Sequence, residues 1–119
     1  MSFRIAEKQA LKSKYLKHRV GAVIVKGDRI LSTGYNQIRP AKLIGVNTLH
    51  AEAAAVLQLL KERRFSDLAG STIYVTRFTR GGNIGLARPC DRCSNLLSSV
   101  GVDRAVFSID ENTSGTMKL

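Results

Sequence analysis

Four short runs along the chain are rich in β-branched and aromatic residues: "VGAVIV" (20–25), "RILSTGYN" (29–36), "TIYVTRF" (72–78) and "RAVFSI" (104–109). Each has strand length and strand composition. The link "KGD" (26–28) joins the first two as a hairpin. Between the runs, apolar residues recur at helical spacing. Ser2 can cap a first helix over 3–16, with Phe3, Ala6, Ala10 and Leu11 on one side and Lys8, Lys12, Lys14 and Lys17 on the other. "LHAEAAAVLQLL" (49–60) is apolar on every side, the pattern of a buried helix. Asn47 or Thr48 can cap it, and Lys61, Arg63 and Arg64 suit its C-terminal end. A third helix is predicted from Pro89 to about Val100, stopped by Gly101. Pro40 and Gly45 mark 37–48 as a loop, and 79–88 is a Gly-rich basic connection. The predicted order is α-β-β-α-β-α-β, an α/β fold whose sheet has parallel neighbours joined by right-handed crossovers. With 119 residues, no internal repeat and no linker, one domain over 1–119 is expected.

The second helix poses a chemical problem. His50 and Glu52 stand at the front of an apolar segment, where buried polar groups cost a few kcal/mol unless something satisfies them. The candidate partner is "ARPCDRC" (87–93), whose Cys90 and Cys93 lie three apart and share a face at the start of helix three. A helix N-terminus favours thiolates. Two thiolates and the His50 imidazole form a three-ligand set suited to tetrahedral zinc, leaving the fourth position open, as in catalytic sites. Glu52 then has a role without being a ligand: at the first helical turn it can exchange protons with a water held at that position. A structural zinc site would need a fourth ligand, and the remaining histidine, His18, sits in the basic "KHRV" and reads as a surface residue. A redox Cys-x-x-Cys pair leaves His50 and Glu52 unexplained.

The pattern H-A-E followed by P-C-x-x-C resembles the cytidine/deoxycytidylate deaminase superfamily, whose signature this is. "GAVIVKGDRILSTGYN", "HAE", "IYVTRF" and "RPCDRC" occur in that family's order, and the compact form is similar to deoxycytidylate deaminases of phages and viruses. The resemblance implies a three-layer α/β/α fold with a mixed sheet of four to five strands. It also implies one zinc per chain on His50, Cys90 and Cys93, with Glu52 as proton shuttle, in hydrolytic deamination. Asn36, in "GYN", matches a position that contacts sugar or base in related enzymes, and Ala51 is counted with it as a substrate contact. A homo-oligomer is implied as well. Family members commonly have a fifth strand. Here about ten residues follow "RAVFSI", so "TMKL" is either a short edge strand or that strand is missing.

Charge bears on the substrate. The formal net charge of +10 provides an attractive field for phosphate, on a nucleotide or on a nucleic acid. Arg77, Arg80, Arg88 and Arg92 lie near the cysteines in sequence, and Arg88 is the candidate phosphate contact. The glycines among them more often mark a turn than a phosphate cradle. Aromatic residues are few and tryptophan is absent, which counts against a single-strand binder that stacks bases. A free cytosine nucleotide or nucleoside, dCMP first, is therefore the expected substrate. The alternative is a polynucleotide deaminase acting on transfer-RNA adenosine or single-stranded cytosine. A non-catalytic zinc- or nucleic-acid-binding module is disfavoured by the retained Glu52. No apolar run reaches the roughly 18 residues of a membrane span, and the N-terminus lacks a signal-peptide core, so a cytoplasmic protein is expected.

Overall fold

The computed structural model describes residues 2–14, 18–41 and 45–119. Its elements, in chain order, are α1 (Ser2–Ala10), β1 (His18–Lys26), β2 (Arg29–Tyr35), β3 (Gln37–Ala41), β4 (Gly45–Leu49), α2 (Ala51–Lys61), a 3₁₀ turn (Phe65–Leu68), β5 (Ser71–Thr79), β6 (Ile84–Gly85), α3 (Asp91–Ser99), β7 (Val102–Ser108) and β8 (Ser114–Lys118). The main sheet runs β2-β1-β5-β7-β8, with β6 pairing on β5. It is mixed: β5–β7 is parallel, and the β1–β2, β1–β5, β5–β6 and β7–β8 pairs are antiparallel.

Strand periodicity divides the side chains between two layers. Ala22, Ile24, Ile73, Val75, Ala105 and Phe107 join Ala51, Ala55, Leu59 and Leu97 in the apolar cluster beneath α2 and α3. The opposite face carries α1. There Gly21 lets the backbone of Ala6 and Ala10 come so close that a Cβ would strike both, and Phe3 packs edge-on against Tyr74 with ring centroids 5.4 Å apart. The expected three layers are therefore present, α1 over one face and α2 with α3 over the other.

Several boundaries differ from those predicted. Helix α1 ends at Ala10 rather than running to 16. The chain tightens there through Lys12 N–H to Gln9 carbonyl and Ser13 N–H to Ala10 carbonyl, both 3.0 Å. Lys17 lies outside the described residues. The predicted loop 37–48 contains a two-stranded antiparallel ribbon, β3–β4, in which Pro40 pairs with Val46. Both strands of such a ribbon are edges, where proline is tolerated. Pro89 falls just before α3, whose N-cap is Cys90. The cap of α2 is His50, not Asn47 or Thr48. Parallel pairing is confined to β5–β7 among the described strands. Finally, "TMKL" does contribute an edge strand, β8, with Met117 opposite Ala105. With the two-residue β6, the sheet counts six strands rather than four to five.

Candidate active site

Helix α2 begins on β2, and glycine makes that approach feasible. A Cβ on Gly34 would lie 2.5 Å from the Ala51 carbonyl oxygen and 2.6 Å from the Ala55 nitrogen. The Ser32 hydroxyl donates to the Ala55 carbonyl at 2.7 Å, fixing the helix from below. His50, at the N-cap, makes no side-chain capping bond. Its ring is turned instead toward the start of α3, where Cys90 is the N-cap and Cys93 lies in the first turn.

His50 Nδ1 is 3.2 Å from Cys93 Sγ and 3.9 Å from Cys90 Sγ. The three ligand atoms all lie within 4.8 Å of one another. Bonds of about 2.3 Å to sulfur and 2.0–2.1 Å to nitrogen in a tetrahedron put the donors roughly 3.5–3.8 Å apart. The observed separations bracket that spacing, so the donor set fits zinc. Cys93 is buried while His50 and Cys90 are exposed and line a cleft. Burial, together with the Glu52 charge and the neighbouring Cys90, pushes the Cys93 thiol far up. A divalent ion held there would supply the opposing charge, favouring the thiolate.

Glu52 is 5 % exposed, two residues after the ligand histidine and in the first turn of α2. Burial raises its pKa, opposed by its own backbone N–H and by His50. It lines the same cleft, a space of about 370 Å³ bounded also by His18, Asn36, Ala51, Arg77 and Arg88. That volume is in the usual range of small-ligand sites, about 300–1,000 Å³.

A sequence model of the cytidine and deoxycytidylate deaminase zinc-binding region matches residues 1–109. The chain belongs to that family. The deaminase is 34% identical over 127 residues to the deoxycytidylate deaminase of Mycobacterium phage D29, covering 87% of this chain and 88% of the phage protein. It is 29% identical over 101 residues to the tRNA-specific adenosine deaminase of Aquifex aeolicus, covering 84% of this chain and 58% of that protein. Its fold is similar to that of the dCMP deaminase of cyanophage S-TIM5, with a TM-score of 0.65, 24% identity and coverage of 91% and 79% of the two chains. A cytidine deaminase from Burkholderia pseudomallei superposes with a TM-score of 0.73, 19% identity and coverage of 98% and 89%. Zinc is the cofactor of the matched region, and His50, Cys90 and Cys93 are positioned for it. Among the described residues, no helix is long and apolar enough to cross a membrane.

The remaining expected contacts fare differently. Asn36 lines the cleft of the deaminase, but its amide already serves the sheet. Oδ1 accepts from Val20 N–H at 2.9 Å and Nδ2 donates to the His18 carbonyl at 3.0 Å, which uses one of the amide's two donors and one of its two lone pairs. Arg88 is exposed on the rim. Arg77 joins it, its guanidinium donating to the Leu86 carbonyl at 3.2 Å, whereas Arg80 and Arg92 are not among the lining residues. His18, read from the sequence as a surface residue, is half-buried and lines the cleft. The signal was available in the alternation His18, Val20, Ala22, Ile24, which places it on the core face of β1.

Proposed function

We propose that the deaminase hydrolyses the exocyclic amine of a free cytosine nucleotide, dCMP first, giving dUMP and ammonia. The reading rests on one observation: a single cleft holds the metal-ligating histidine, the buried Glu52 and the arginines Arg77 and Arg88. His50, Cys90 and Cys93 would hold the zinc, which supplies Lewis acidity and brings the pKa of water toward 7. Glu52 takes one proton of the attacking water and delivers it to the ring nitrogen as the C–O bond forms at the amine-bearing carbon. It then carries the remaining hydroxyl proton to the amine, and the C–N bond breaks as the new carbonyl forms and ammonia leaves. Asn36 and the Ala51 backbone orient base and sugar, while Arg77 and Arg88 meet the 5′-phosphate by charge-assisted hydrogen bonds.

The phage deoxycytidylate deaminase supports this choice, since it matches the chain over nearly its whole length. The tRNA-specific adenosine relative carries the second reading, a polynucleotide substrate, which the charge of +10 also suits. Self-association is a companion proposal: Leu57, on the outer side of α2, is 37 % exposed and available to a second copy, and light scattering measures the mass directly. The deciding experiment is ammonia release from zinc-loaded protein offered dCMP, CMP, deoxycytidine, adenosine, single-stranded oligonucleotide and transfer RNA. Turnover of dCMP well above the others supports the reading. Turnover confined to the polymers, with steep salt dependence, replaces it.

A further inference from the structure

We propose that His18 selects the 5′-phosphorylated nucleotide over the free nucleoside, its imidazole donating to the phosphate beside Arg77; this deepens the dCMP reading and rests on it. The argument begins with strand periodicity. Ala22 and Ile24 belong to the apolar cluster under α2 and α3, and Val20 packs against it. Two residues earlier on β1, His18 falls on the same face. In the β1–β5 ladder Val20 is opposite Arg77 and His18 is opposite Thr79. His18 and Arg77 are therefore diagonal neighbours, about 7–8 Å apart along the sheet, within joint reach of one phosphate.

Both positions are held. The His18 carbonyl accepts from Asn36 Nδ2 at 3.0 Å, tying the start of β1 to the end of β2. The Arg77 guanidinium is tethered to the carbonyl of Leu86, which lines the same cleft. Arg88 completes the lining on the rim, and the one carboxylate among the described lining residues, Glu52, belongs to the first turn of α2. A phosphate presents several acceptor oxygens and takes donors from several directions. Strands β1 and β5 and the segment before α3 supply one donor each. His18 does not serve as a fourth zinc ligand: the described cluster of metal-ligating groups is His50, Cys90 and Cys93.

The test compares wild type, His18→Ala, His18→Leu and His18→Arg, each zinc-loaded and checked for folding by thermal melting. The ratio of kcat/KM for dCMP to that for deoxycytidine should fall about tenfold in His18→Ala, the loss of one hydrogen bond to a charged group. His18→Arg should retain most of it. In calorimetry, dUMP should bind His18→Ala about tenfold more weakly than wild type, with deoxyuridine affected far less. Should His18→Ala not fold, His18→Leu, which keeps side-chain bulk but has no donor, gives the same comparison. Equal losses for dCMP and deoxycytidine overturn the proposal, as does a loss limited to single-stranded oligonucleotide. Wild type that does not prefer dCMP to deoxycytidine removes the dCMP reading itself, a failure visible without any variant.

Discussion

His50 Nδ1 and Cys93 Sγ lie 3.2 Å apart although 43 residues separate them in the chain. The contact joins two helix starts that have no local reason to meet, and zinc binding is thereby coupled to tertiary folding. Cys93→Ala should abolish stoichiometric zinc and should melt at the same temperature with and without chelator. Wild type should not. Free zinc a hundredfold above its dissociation constant adds about 2.7 kcal/mol through binding, a shift on the order of 10 °C for a domain of this size. Metal analysis and paired melts check it. Equal chelator sensitivity in both proteins would place the metal elsewhere.

Glu52→Gln preserves side-chain volume in a buried position, so the variant should fold and bind one zinc. Its kcat should fall by about 10²–10⁴, the usual contribution of a positioned proton-transfer group. Ammonia release beside zinc content gives the answer. A zinc-loaded variant working at the wild-type rate would take Glu52 out of the reaction.

Asn36→Ala removes both partners of the Val20 N–H and the His18 carbonyl. A buried polar group left unsatisfied costs about 1–3 kcal/mol. Urea unfolding should show that loss, together with a raised KM, because the same amide borders the cleft. A stability loss with unchanged KM would confine Asn36 to holding the sheet.

Gly34→Ala places a methyl group against the backbone of Ala51 and Ala55. Overpacking of this kind costs about 1–3 kcal/mol. Because α2 must lift away at the turn that carries Glu52, and His50 is its N-cap, zinc affinity and kcat should decline along with stability. Gly27→Ala is the comparison, since nothing lies within 4 Å of an added Cβ there, although its φ of +60° adds backbone strain. Equal zinc affinity in the two variants would separate the helix approach from the site.

The strand runs and helices were legible because their signals are local: alternation along β1 and β5, apolar coverage around α2, and the i, i+3 spacing of Cys90 and Cys93. The chemistry was legible for the same reason, since the residue types at two helix starts already named a three-ligand metal set and a carboxylate. Elements that depend on distant partners were not. The β3–β4 ribbon hid behind Pro40 and Gly45, which break structure unless a second edge strand is opposite. Strand β8 exists because β7 offers an open edge. The other role of Asn36, bonding to β1 backbone 16 and 18 residues away, has no trace in "GYN". By itself the sequence determined which donors, which carboxylate and which arginines the protein carries. Tertiary structure decided which of them share one cleft, because a sheet sets distances between residues that chain spacing leaves free.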